Sequence, residues 1–461
     1  MPPAHADQPP SYSFTAGSSS STIRRDSYIS NAGSSRSHPS PQYSPTAART
    51  ELVIDTQTLA DSPNISSHEY VYNCKNLELN LGPKIWGTSV PSFGSNGVIE
   101  GRVCLSGDLK SIASIALKFE GKVITTFTER GLVSGAATTQ IASVTSSLLP
   151  SAAGGWEPTL AFAIPIPAYA LGRQSRLPPS LTTYLPGVTG EIKYALKLSV
   201  VRKGFRRNDS LKVPILYFPR NFATGPSLQT IPEPTVNLAA LSVSSPNPGH
   251  VRVIELEPTW RKDTPCHSKS RSPAVFLSLP STQSFASDEA ISFALSIVSP
   301  HAPAISKLLK PSVKIQLVKR TRLWINNGKM GSKYDSPIGN ADIHRTDDSH
   351  EGIVVLYGDL RSAVNSILAS WRVANVAEQQ YLIRVNVNPP STVAAHIPSF
   401  ILEQDIELCT DAFDSSEHEI ITMGGTPSPA AGLLSQNPDD LGLGRQLSNI
   451  SSAMSSYAAI R

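Results

Sequence analysis

A chain of 461 residues with 40 % hydrophobic content is longer than one hydrophobic core organises and apolar enough to build two. Its 38 prolines point to extended segments outside those cores, and a formal net charge of +4 is too small to mark a nucleic-acid partner. Four scattered cysteines (Cys74, Cys104, Cys266, Cys409) form no CxxC pair, which argues against a zinc site and a secreted disulfide framework and fits a reducing compartment.

Residues 1–68 are dominated by Ser, Pro, Ala and Thr, with runs such as SSSST and SSRSHPSP. Such a segment buries too little apolar surface to offset its ordering entropy, so it is expected to be a disordered tail. The start, MPPAHADQPPSYSF, has no apolar h-region and predicts no signal peptide. The most apolar run, 160–171, is short and broken by Pro165 and Pro167, so no bilayer span is expected. These features together predict a soluble, cytoplasmic protein. The tail carries one PPxY motif, Pro9-Pro10-Ser11-Tyr12. Two prolines preset a polyproline II turn that an aromatic groove can grip, and Tyr12 supplies a ring for the adjoining pocket, the way WW domains read such peptides. This composition supplies about 0.1 such motifs by chance, which makes the single copy worth naming. Arg24-Arg25-Asp26-Ser27, and Arg445-Gln446-Leu447-Ser448 near the other end, resemble basophilic kinase sites at Ser27 and Ser448.

From Glu69 the pattern turns to short strands. Tyr70 and Tyr72, then Leu77, Leu79 and Leu81, alternate before a Gly/Pro/Ser break at 82–97. Residues 98–105, VIEGRVCL, put Ile99, Val103 and Leu105 inward and Glu100 and Arg102 outward. Residues 111–127 set Ile115, Leu117 and Phe119 against Lys118 and Glu120, with a bend expected at Gly121. Residues 129–155 are low in charge and rich in small polar residues, and predict a long mobile loop. In WEPTLAFAIPIP, 156–167, Leu160, Phe162 and Ile164 point inward.

The stretch 190–220 is the clearest. Ile192, Tyr194, Leu196, Leu198 and Val200 share one parity, and RKGFRRND follows as a hairpin turn that Gly204 and Asn208-Asp209 favour. Leu211, Val213, Ile215 and Tyr217 return, with Pro214 predicting a position near a sheet edge. The basic tip, Arg202, Lys203, Arg206 and Arg207, offers a contact for acidic lipid headgroups or a phosphorylated peptide, or is simply a solvated loop. The segment 223–250 is Pro- and Ser-rich without periodicity and predicts a linker.

A second β domain is expected over 251–410. Its strands begin at 251–256 and 274–279, and at 291–298 Ile291, Phe293, Leu295 and Ile297 share a face. VKIQLVK (313–319) and YLIRVNV (381–387) alternate cleanly, and in 400–408 Phe400, Leu402, Ile406 and Leu408 face inward. The KRTR run at 319–322 invites the same two readings as the hairpin tip. Residues 326–352 predict a polar loop, 360–371 a turn or two of helix, and 411–461 a second disordered tail.

Nothing points to catalysis. Cys266 and His267 are sequence neighbours whose side chains diverge on an extended chain, the histidines do not cluster with carboxylates at ligand spacing, and no Gly-rich phosphate loop joins a strand to a helix. No metal or cofactor is expected.

These successions resemble the arrestin family, specifically the fungal arrestin-like (alpha-arrestin) trafficking adaptors. In the first domain the resemblance rests on VIEGRVCL, SIALKFEGK, FAIPIP, and LPPSL followed by GEIKYALKLSVVRKG; in the second on AVFLSLPSTQSFASDEAISFALSIVS, KIQLVKRT and IPSFILEQDIEL. It implies an all-β chain of two tandem immunoglobulin-like β-sandwiches, an N domain over 69–222 and a C domain over 251–410. It also implies that Pro9, Pro10 and Tyr12 recruit a WW-domain, HECT-type ubiquitin ligase, while the sandwiches meet cytosolic tails of membrane transporters or receptors. Recruitment to the plasma membrane or endosomes, ubiquitination and endocytosis would follow. The chain departs from the family in carrying its PPxY before the domains and none after Thr410; Pro41-Gln42-Tyr43 is at best a degenerate copy, so avidity is absent. Two alternatives remain: an arrestin-fold scaffold in endosomal sorting or signalling without a ligase, and a lectin-like or hydrolase sandwich. The last would need aromatic platforms or clustered carboxylates, and Trp156, Trp260, Trp324 and Trp371 are scattered.

Overall fold

The computed structural model describes residues 69–430, apart from 87, 131, 152–153, 205, 261–271, 326–327, 329 and 365. Two β-rich, sandwich-like lobes follow one another. The first is built from β1 (Glu69–Cys74), β2 (Leu77–Pro83), β3 (Ser92–Phe93), β4 (Val98–Leu105), β5 (Ile112–Glu129), β6 (Leu132–Leu148), β7 (Thr159–Pro165), β8 (Leu181–Leu185), β9 (Val188–Arg202) and β10 (Asp209–Tyr217). One sheet runs β1-β2-β4-β7; the other runs β3-β10-β9-β5-β6, with β8 added to β9. The inward residues read from the alternation are the ones that meet: Ile99 and Val103 from one sheet, and Ile115, Leu117, Phe119, Leu196, Leu198 and Val200 from the other, are all buried in one cluster. Tyr194 stacks on Phe119 with ring centroids 5.7 Å apart, and its hydroxyl donates to the Pro178 carbonyl at 2.6 Å, so the proline rim satisfies the core's polar tip. β3 pairs with β10 only at Leu216 and Tyr217, leaving Pro214 on an open edge as its missing N–H requires.

The stretch expected to be a mobile loop is instead β6, hydrogen-bonded along β5 with extra residues at two points. Its Ser, Thr and Ala side chains need little burial because the ladder supplies the backbone bonds. Ile141 and Ala142 are buried in the core, at the point where Gly121 lets Tyr194 approach, and Val144 and Leu148 pack against its margin.

The segment 223–250 is not a bare spacer. It carries a small hairpin of β11 (Thr235–Asn237) and β12 (Ser242–Ser244), and its Leu228 and Ile231 pack with Val251, Ala294, Val355 and Tyr357. The second lobe follows as β13 (Val251–Glu255), β14 (Pro258–Thr259), β15 (Ala274–Pro280), β16 (Ser284–Ala286), β17 (Ile291–Val298), helix α1 (Pro303–Leu309), β18 (Val313–Ile325), β19 (Met330–Asp347), β20 (Ile353–Leu360), β21 (Trp371–Val373), β22 (Ala377–Val387) and β23 (Ser399–Cys409). Every residue of β15 and β17 is buried, without alternation, because the core covers one face and the 223–250 segment covers the other.

The second lobe's strands form a continuous path, β13-β15-β17-β20-β19-β18-β22-β23-β14. The expected polar loop at 326–352 is largely β19, whose first part pairs with β18 and whose last part pairs with β20. A register shift at Leu317/Val318, opposite Pro337 and Gly339, lets this one strand pass from one half of the folded sheet to the other. The helix expected within 360–371 does not form among the described residues there; a real one, α1, starts on Pro303, where a missing N–H costs nothing, and buries Leu309.

Order also does not stop at Thr410. The chain continues through helix α2 (Ser416–Thr422) to Ala430, which is buried against Val90, Leu216 and Phe218 of the first lobe. Among the described residues no helix is long and apolar enough to cross a membrane.

The lobes share a dry contact. Leu323 at the end of β18 and Val373, Val376 and Ala377 at the β21–β22 turn are buried within the first lobe's own hydrophobic cluster. Arg173 of the first lobe donates to the Ala374 carbonyl at the same turn. The second lobe thus plugs the end of the first.

Candidate functional site

Pro9, Pro10 and Tyr12, together with Ser27 and Ser448, lie outside the described residues. The basic hairpin lies within them. β9 and β10 pair from Val200–Asp209 inward, and Gly204 takes φ +70° in the turn as expected. Its four cations divide. Arg202 is held down: Nε and Nη2 donate to Asp209 Oδ2 at 2.9 and 2.8 Å, and Nη1 donates to Ser111 Oγ at 2.9 Å. Arg206 meets Asp108 at 2.5 Å in the open, and that hydrogen bond holds the Asp108 carboxyl below the usual carboxylate range. Lys203 and Arg207 are exposed. The tip therefore presents two outward cations rather than four.

The KRTR run fares differently, and its reading as a free basic patch is corrected. Arg320 is buried in the outer face of the second lobe's sheet. Its Nε and Nη2 donate to the two oxygens of Asp335, each at 2.8 Å, and Nη2 also reaches Glu403 Oε2 at 2.7 Å. Arg384 Nη2 donates to Glu403 Oε1 at 2.7 Å and also pairs with Asp335, closing a square of alternating charge across β19, β18, β22 and β23. The Arg320 bonds bring the Asp335 carboxyl down to about 2. Arg322 meets the buried Glu378 at 2.5 Å, with Arg372 Nε on its other oxygen at 3.2 Å. Burial lowers the Lys319 ammonium. These cations serve the sheet.

A cleft of about 680 Å³ opens where the lobes meet. Arg176 enters from the first lobe; Trp371, Arg372, Gln379, Asp405 and Glu407 line it from the second. Both signs of charge and an indole face one space, an arrangement suited to a polar extended peptide rather than to a single anion. The fully buried hydroxyl of Tyr381 accepts from Gln379 Nε2 at 2.6 Å, and burial keeps the phenol protonated far above the usual range. Among the described residues no three His, Cys, Asp or Glu side chains gather closely enough to hold a metal ion.

On the open side of the junction a second polar group forms. Arg220, just after β10, pairs with Asp411, just after β23, and lies 3.5 Å from Glu417 on α2. Asn221 and Thr410 exchange bonds beside it, the Asn221 N–H donating to Thr410 Oγ1 at 2.9 Å and the Thr410 N–H to Asn221 Oδ1 at 2.8 Å. Sequence reading missed Arg220, Asp411, Glu417 and the cleft residues. Their partners are nearly two hundred positions away, and no local period marks them. In comparison with known proteins, the chain matches no protein-family model and no curated protein sequence.

Proposed function

We propose that this chain is an arrestin-like cytoplasmic adaptor and that its work is tethering rather than chemistry. The observation that carries the reading is two sandwich-like β lobes in tandem, the second seated in the end of the first, following a segment that bears Pro9-Pro10-Ser11-Tyr12. The succession of strands that resembles the arrestin N and C domains supports it as well. In this proposal the lobes, with the junction cleft and the outward Lys203 and Arg207, engage the cytosolic tail of a membrane transporter or receptor at the plasma membrane or an endosome. Pro9, Pro10 and Tyr12 hold a WW-domain, HECT-type ubiquitin ligase beside that cargo. Tethering raises the ligase's effective concentration at the cargo, which drives ubiquitination and endocytosis without a new catalytic group.

The test is a pulldown of a WW-domain ligase from matched amounts of wild-type and Tyr12→Ala protein. Loss of the ring should cut recovery about tenfold, as for a buried aromatic anchor. Equal recovery from both removes the ligase from the proposal.

A further inference from the structure

The hydroxyl of Ser428 sits at a charged crossing. It accepts from Arg220 Nη2 at 2.9 Å and donates to Glu417 Oε1 at 2.6 Å. The same residue's N–H donates to Glu417 Oε2 at 3.1 Å, and its carbonyl accepts from Arg220 Nε at 2.8 Å. Pro427 and Pro429 on either side are buried, as is Ala430, whose N–H donates to the Phe218 carbonyl at 3.0 Å. Residues 416–430 thus form a strap that docks on the first lobe through Ala430 and through the charged crossing at Ser428. The local sequence is Thr426-Pro427-Ser428-Pro429, a serine directly followed by proline.

We propose that Ser428 is a phosphorylation site for a proline-directed protein kinase and that its modification releases the strap. In the step, Ser428 Oγ attacks the γ-phosphorus of ATP and forms the new O–P bond. The bond to the departing ADP oxygen breaks, and the hydroxyl proton leaves through the kinase's base to solvent. Before the step the crossing holds one guanidinium and two carboxylates, Arg220 with Asp411 and Glu417, a formal charge of −1. A phosphate adds nearly two negative charges at pH 7. Arg220 is already shared between two acids, while both oxygens of Glu417 point at Ser428. Repulsion from Glu417 therefore exceeds the extra attraction to Arg220. The hydroxyl that donated to Glu417 is also gone. Because Ser428 is half-buried, the kinase takes it from the briefly undocked strap, and the phosphate then keeps the strap from returning. Release uncovers the pocket of Val90, Leu216 and Phe218 and loosens Arg220 from its place between the lobes.

The test uses the full chain, a purified proline-directed kinase and magnesium ATP, with mass spectrometry to locate the phosphate and amide hydrogen exchange to follow the strap. Ser428 is expected to be modified, and peptides covering 416–430 to exchange about tenfold faster afterwards. In Glu417→Gln protein the same phosphate meets Arg220 without the opposing carboxylate, so exchange should stay close to the unmodified rate. Ser428→Ala protein should keep the strap docked through Ala430 and be indifferent to the kinase, even if the exposed Thr426 is modified. The proposal is overturned if Ser428 stays unmodified, if full modification leaves exchange unchanged, or if Glu417→Gln protein responds as strongly as wild type.

Discussion

At the β9–β10 tip, Arg206 and Asp108 are 57 % and 51 % exposed; in the second lobe's sheet, Arg320 is 6 % exposed and Asp335 20 %. The same pair of ion types thus lives in two solvents. Water and salt screen the first pair, and an exposed contact of that kind adds little to stability. The second is bidentate, shares its acids with Arg384 and lies between neighbouring strands, where removing one member strands the others. The comparison teaches that a run of Arg and Lys has no fixed meaning: depth decides whether it binds outward or holds the fold together.

Five variants and one titration can break that contrast. Arg320→Ala leaves Arg384 alone to hold both Asp335 and Glu403 and should cost about 3 kcal/mol, read as a fall in the urea midpoint at pH 7. A fall no larger than that of Arg206→Ala, which should not move the midpoint measurably, would erase the distinction. The titration comes next. Asp335 has a folded value near 2 against an ordinary 3.8, so its contribution is fully present above about pH 4 and is lost as pH falls through about 2. It should amount to about 2 kcal/mol, visible as a midpoint that drops over that window in wild type and much less in Asp335→Asn. Arg202, half-buried beside Asp209 despite its place at the tip, should behave like the lattice on a smaller scale, with Arg202→Ala costing about 1.5 kcal/mol. The last effect is external and leaves stability alone. Changing Lys203 and Arg207 together to Ser should leave the midpoint unchanged and weaken binding to phosphatidylserine vesicles by about 1 kcal/mol for each lost charge. Unchanged vesicle binding would make the tip a solvated loop.

Strands that bury one face could be read from the chain because their own residues carry the period. The parity of Ile192, Tyr194, Leu196, Leu198 and Val200 matches their burial residue for residue. β6 and β19 were hidden because neither lives by apolar burial. β6 borrows its order from β5, and β19 spends polar side chains on Arg320 and Arg384 across the ladder. The order beyond Thr410 was hidden for a related reason: a Ser- and Gly-rich segment gains its position from Arg220 and Phe218, about two hundred residues upstream. Composition measures what a segment can bury by itself, not what a distant surface offers it. The same limit applied to the candidate sites. Local chemistry pointed to the hairpin tip, whereas the cleft and the Arg220 crossing exist only once both lobes are assembled.

The plug between the lobes depends on an absence. A methyl group at Gly190 would stand 2.9 Å from both terminal carbons of Leu323 and 3.2 Å from Thr183 Cγ2. The close seating of Leu323 on β9 uses a hydrogen atom where nineteen other residues would place carbon. A Cβ there would have to push aside the ends of the Leu323 side chain, so it is the bare backbone of β9 that lets the second lobe's leucine lie flush in the first lobe's core.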